Sequence, residues 1–269
     1  MSRAGLAVLL GALAAAPGPA RAANGPFAGR TALTVGEDRV EVGVFAPLRY
    51  GLTDRLELST HPLWFLVAPN LEARVGWLDR GGFALASAHA ILYPTPLMRL
   101  LSREGTGGIV PPDVRYPHLL ATAHQLVVTR AFGGHLVTAR AGARFAKPLG
   151  AWDGPPSWSQ VEWHLAWPRM AAWFTGWSAE GGLAAQGALH RATGYQVAVD
   201  AFLLPGLDGD RAIEWSGLLT HRARPGLLVR AGAKWSWAEL PYGSRLSVPF
   251  PLVDVIWSFD GPREARTAL

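Results

Sequence analysis

Ser87-Ala88-His89 sets a hydroxyl and an imidazole two positions apart. In an extended strand, side chains at i and i+2 share one face, so the histidine could take the serine proton and leave a nucleophile. No Asn, Asp or Glu stands beside the pair to orient the imidazole. The small residues around it do not assign the strand's faces. The pair reads as a polar spot in a lumen wall, and no catalytic residue is assigned.

Other chemistry is thinner. His61, His89, His118, His124, His135, His164, His190 and His221 are scattered along the chain, with no cysteine anywhere to join them. Metal sites need compact sets of such ligands, so neither a metal nor any other cofactor is expected. Gly105-Thr106-Gly107-Gly108 lacks the Lys-Ser/Thr of a phosphate loop and reads as a flexible connection.

The elements that position these residues show a period of two. In Leu227 to Trp237 the odd positions are Leu, Val, Ala, Ala, Trp and Trp, while Arg230, Gly232, Lys234 and Ser236 lie between them. Such alternation is a strand with one apolar face. Its apolar face ends in tryptophan and its charges sit in mid-strand, as expected when lipid is outside and water inside. The same pattern recurs along Val40–Tyr50, Arg55–His61, Leu71–Trp77, Phe83–Tyr93, His118–Arg130, Val137–Phe145, Val161–Trp167, Leu183–His190, Tyr195–Leu204, Ile213–His221 and Leu246–Phe259. Adding a short strand at Thr31–Val35 and a non-alternating one at Met170–Trp177 gives about fourteen, or twelve without those two, since such barrels have even strand numbers.

Targeting agrees. Met1-Ser2-Arg3 is basic, Ala4 to Ala16 is apolar, and Ala20-Arg21-Ala22 offers small residues for cleavage. Residues 1–22 are expected to be a signal peptide and 23–269 one barrel domain. The 269 residues are 49% hydrophobic and 17% charged, with net charge +5, yet hold no apolar stretch long enough for a spanning helix. Absence of cysteine excludes a lipoprotein anchor and a disulfide framework. The arginines alternate with apolar residues instead of clustering, which argues against nucleic-acid binding.

Pro47-Leu48-Arg49-Tyr50-Gly51-Leu52-Thr53-Asp54-Arg55-Leu56-Glu57-Leu58, and the closing region from Glu214-Trp215-Ser216-Gly217 through Gly232-Ala233-Lys234 to Pro241-Tyr242-Gly243, resemble an uncharacterised, porin-like family of Gram-negative outer-membrane β-barrels. The resemblance implies an all-β, single antiparallel transmembrane barrel of about 12–14 strands and carries no catalytic residue across. In phospholipase and lipid A deacylase barrels the pair runs His-x-Ser, the reverse of the order here.

Alternation then assigns faces. Arg49, Arg55, Glu57, Glu72, Arg74, Arg140, Arg144, Glu162, Asp200, Glu214, Arg230 and Lys234 are expected to line the lumen, with Glu41 and Asp254 beside them. Trp77, Trp163, Trp167, Trp215, Trp235, Trp237 and Trp257 are expected at the membrane interfaces. The longest connection, 94–117, is expected outside the cell as a loop folded over the mouth or against the upper lumen wall. Its Leu97, Leu100, Leu101 and Ile109 would seek a partner, and Arg99, Arg103 and Arg115 would lie near carboxylates or anionic lipid. The expected function is passive passage or uptake of small solutes, with outer-membrane lipid as surroundings and the barrel-assembly machinery as partner in biogenesis. A structural or interaction barrel and, after it, a lipid-modifying enzyme are the alternatives.

Overall fold

The computed structural model describes residues 29–109, 112–150, 167–206, 209–239 and 245–260. The leader at 1–22, Glu162, Trp163 and most of the strand expected at 161–167 lie outside the described residues.

Twelve antiparallel strands close into a barrel, each paired with its neighbour in the chain and the first with the last. They are β1 (Arg39–Gly43), β2 (Leu48–Thr53), β3 (Leu56–Thr60), β4 (Asn70–Arg80), β5 (Phe83–Leu92), β6 (His118–Phe132), β7 (His135–Leu149), β8 (Trp177–His190), β9 (Thr193–Leu203), β10 (Arg211–Arg224), β11 (Leu227–Glu239) and β12 (Arg245–Asp260). Helices α1 (Pro62–Phe65), α2 (Thr95–Leu101) and α3 (Trp167–Thr175) fall in the connections.

Three expectations about strands change. Thr31–Val35 is a buried irregular segment, because its run of small and apolar residues has no second face to give to lipid. Met170–Thr175 belongs to α3, whose Trp167, Met170, Ala171 and Phe174 recur at helical spacing. The segment 40–50 is two strands, since Phe45-Ala46-Pro47 turns the chain back and Pro47 has no N–H for a ladder.

The connections sort by length. Asp54-Arg55, Gly81-Gly82, Gly133-Gly134, Arg191-Ala192 and Pro225-Gly226 join strands at one end, the turn end. Gly81 and Gly82 both have positive φ, 60° and 74°, which the tightest hairpin turns require. All longer connections lie at the opposite, loop end.

Along each long strand one parity faces out and the other in. Leu126, Leu183, Val197, Leu219 and Val253 are exposed on the outside. Large aromatics collect near both ends: Phe145, Trp177, Trp215 and Trp235 toward the loop end, and Trp77, Phe132 and Phe259 toward the turn end. An apolar band with an aromatic girdle on each side is the exterior that a bilayer solvates.

The interior is filled by two inserted pieces. At the turn end, Ala32 and Leu33 pack on the inward Ala84, Ala86 and Val127, with Leu136 against them. At the loop end, α3 sets Trp167 and Ala171 against Phe202, Leu204, Ala212 and Ala238. Its Met170 and Trp173 meet Met98 of α2 together with Tyr116 and Leu119.

The closure between β1 and β12 is short. It covers only Arg39–Gly43 against Ile256–Asp260, whereas β11 pairs with β12 from Arg245 to Trp257. Val44 N–H reaches Val255 O at 3.1 Å, so odd residues of β12 direct their backbone groups to this side. Pro249 and Pro251 share that parity, and their missing N–H groups fall on the free edge, where no ladder bond is lost.

The charged lumen as candidate functional site

Inward parity brings ionisable side chains from most strands into one interior. Arg49 of β2 lies between two carboxylates, with Nη1 to Glu41 Oε2 at 2.8 Å and Nε and Nη2 to Glu57 at 2.8 and 2.7 Å. All three are buried. Glu57 Oε2 also accepts Val35 N–H at 3.0 Å, which ties the inserted N-terminal segment to the wall. Arg74 donates to Thr31 O at 3.0 Å and pairs with Glu72 at 3.3 Å.

The rest of the wall is built the same way. Arg230 and Asp254, cross-strand partners on β11 and β12, pair at 2.7 Å. Glu214 of β10 accepts two bonds from Arg169 of α3 at 2.8 and 2.7 Å and one from Lys234 at 2.7 Å. Asp200 pairs with Arg30 at 2.8 Å and also with Arg140. Arg144 holds Glu180 through bonds of 3.0 to 3.2 Å, and Gln125 donates to the same carboxylate. Burial pushes the Arg30 guanidinium below its ordinary value; the Arg140 charge adds to the shift and Asp200 opposes it. Opposite charges in such a wall must be paired, because an isolated one is costly to bury.

No protein-family model and no curated protein matches the chain. Among solved structures it is similar to OmpT of Vibrio cholerae, with 10% identity over 81% of this chain and 64% of that one and a TM-score of 0.45. A bacterial polysaccharide outer membrane secretin shares 8% identity over 82% and 69% of the two chains, TM-score 0.44. OccK5 of Pseudomonas aeruginosa shares 17% over 83% and 63%, TM-score 0.40. The chain spans under two thirds of the length of the first and third. The lumen is therefore read from its own residues.

Arg49, Glu57, Glu72, Arg74, Arg140, Arg144, Asp200, Glu214, Arg230 and Lys234 lie on inward rows, with Glu41 and Asp254. Arg55 does not: it sits exposed in the two-residue turn after β2, where the strand has ended. Trp77, Trp215, Trp235, Trp237 and Trp257 project outward. Trp167 is instead wholly buried in α3, at 0% exposure. The loop at 94–117 packs Met98 and Leu101 toward α3, while Leu100 and Ile109 stay exposed. Arg99 bonds the Tyr116 carbonyl at 3.3 Å, not a carboxylate.

Arg30, Arg169 and Glu180 escaped the sequence reading. The first two sit on inserted segments where strand parity does not apply, and Glu180 lies in β8 ahead of the alternation that starts at Leu183. Their only signal was lone charges beside apolar runs.

Between the inserts lies a central cavity of about 960 Å³. Arg169, Ala172 and Trp173 of α3 bound it toward the loop end, and Gly29 and Arg30 toward the turn end. A second cavity of about 360 Å³ lies at the turn end, beside Gly134, Arg191 and Gly194. Gln196 and Arg230 line both.

Proposed function

We propose that this chain is an outer-membrane barrel that passes small solutes through its lumen. The reading is carried by two lumen cavities that share Gln196 and Arg230 in their walls; a solute crossing the barrel would pass the constriction that these two side chains make between them. Long loops of bacterial barrels lie outside and short turns face the periplasm, so the loop end is extracellular. Residues 1–22 serve export, lipid surrounds the apolar band, and the barrel-assembly machinery inserts it.

The lumen favours anions weakly. In the pairs Arg30–Asp200, Arg144–Glu180, Arg169–Glu214 and Arg230–Asp254 the cation side chain is 23 to 36% exposed, and the carboxylate 1 to 9%. In these four pairs water in the path meets the guanidinium first, with the counter-charge behind; Arg74–Glu72, with the carboxylate the more exposed partner, is the exception. Because nearly every cation is paired, selectivity is modest.

Planar-bilayer recording of the purified protein tests this. Small, stable conductance steps with a reversal potential shifted modestly toward anions are expected, and Arg230→Ala should enlarge the steps by widening the constriction. A heat-modifiable, correctly folded barrel that carries no current would overturn the transport reading.

A further inference from the structure

The outward face of β5 and β6 carries a polar group where an apolar surface is expected. His89 and His124 are direct cross-strand partners. Across β3 to β7 their row reads Leu58, Ala73, His89, His124, Ala143. Ser87 interrupts the next row, between Val75 and Leu126. Ionisable groups against lipid are expensive and mark function by default.

The hydrogen bonds give the group a direction. Trp77 Nε1 lies 2.9 Å from Ser87 Oγ, and an indole N–H can only donate. The serine hydroxyl is then free to donate to His89 Nε2, 3.0 Å away. With Nε2 accepting, the remaining imidazole proton is on Nδ1 and is donated to His124 Nδ1 at 2.9 Å. His124 rests on Phe145, ring centroids 6.2 Å apart. The chain runs nucleophile, base, orienting acceptor, the arrangement that activates a serine. His124 supplies the acceptor missing beside Ser87-Ala88-His89 in sequence.

We infer that Ser87, His89 and His124 form a serine-hydrolase site on the outer wall of the barrel, acting on acyl esters of membrane lipids. Rather than facing the lumen, the group lies on the lipid side of the wall, with His89 exposed and Ser87 8% exposed beside Trp77, an interfacial aromatic near the level of lipid ester groups. Ser87 Oγ attacks the ester carbonyl carbon while its proton passes to His89 Nε2. The tetrahedral intermediate collapses, the carbon–oxygen bond to the lipid alcohol breaks, and the proton on Nε2 goes to the departing oxygen. A water molecule then attacks the acyl-Ser87 carbonyl, giving its proton to the same nitrogen. The fatty acid leaves and the serine hydroxyl is restored. Trp77 N–H, bonded to Ser87 Oγ, orients the hydroxyl so that its proton is directed to His89. His124 is a positioning residue that acts through His89.

The site rests on the membrane reading and not on conduction, so the two fail separately. The test is the full-length protein folded in detergent micelles, treated with a fluorophosphonate probe and assayed for fatty-acid release from phosphatidylethanolamine and, in parallel, lipid A. Covalent labelling and release are expected, and Ser87→Ala should lose both while keeping its heat-shifted mobility and its bilayer conductance. His89→Gln should lose roughly 10²–10⁴ in rate, the range for a general base. His124→Leu should slow release, and His124→Asn should restore much of it, because Asn Oδ1 sits one bond beyond Cγ as His Nδ1 does. Release from one lipid and not the other identifies the source of the ester. A folded wild type that is neither labelled nor active, or labelling that survives Ser87→Ala, would overturn the assignment.

Discussion

Replacing Trp167 with alanine should open the lumen without unfolding the barrel. Trp167 is 0% exposed, packed on Phe202, Leu204 and Ala212 of the wall. A tryptophan buries about 150–250 Å², which at about 25 cal/mol per Å² is ~4–6 kcal/mol as an upper value, and comparable truncations cost about 3–5 kcal/mol. The competing tether of α3 is the Arg169–Glu214 pair. Arg169 is 36% exposed, so water screens it and its net contribution falls to roughly 1 kcal/mol. The apolar anchor therefore dominates. The strand ladder, which does not pass through α3, keeps the barrel closed. Single-channel conductance in planar bilayers should rise for Trp167→Ala, with heat-modifiable mobility unchanged, while Glu214→Gln, which leaves Arg169 and Lys234 without their carboxylate but still partly in reach of lumen water, should raise it less. Equal conductance for Trp167→Ala and wild type, or a larger effect from Glu214→Gln, would refute this ranking.

Brominated lipids should quench Trp235 and Trp257, which project outward, and leave the buried Trp167 and Trp173 bright; single-tryptophan variants resolve the contributions, and quenching of Trp167 would mean that α3 is not inside. Val253 is 60% exposed in the middle of the outer face of β12. Val253→Arg should cost about 2–4 kcal/mol of folding free energy near the bilayer midplane. Denaturant titration in lipid vesicles reads that loss, and a change under about 0.5 kcal/mol, the ordinary surface range, would place Val253 away from the acyl chains.

The barrel wall was legible because each wall residue faces one of two solvents. Leu228, Arg230, Lys234, Ser236 and Ala238 point in, and Val229, Trp235 and Trp237 point out, with the parity read from the sequence. What sits inside was not legible. Thr31–Val35 and α3 are packed on several sides at once, so neither shows a period of two, and a tryptophan in such a segment looks like an interfacial one. Trp167 was misplaced for that reason. Arg55 failed because parity carries no meaning in a turn. His89 and His124 are 35 positions apart, and only the register between β5 and β6 puts them side by side, a fact set by the length of the 93–117 connection and not by the residues themselves.

The two surfaces handle polar groups by opposite rules. In the lumen, charges are many and are neutralised pair by pair, so losing one partner mainly strands the other. On the outside of β3 to β7, polar side chains are few, and those of Ser87, His89 and His124 bond to one another in a directed chain instead of reaching water. A wall built only for containment would carry valine or leucine there, as the neighbouring positions Val75 and Leu126 do. The edge of β12 beyond its pairing with β1 shows how the same wall treats a polar liability with no role: Pro249 and Pro251 leave two fewer donors there. Hydrogen-bonding groups kept on the outer face of β5 and β6, in a barrel that has fewer of them at its seam, are explained by work done at the lipid surface.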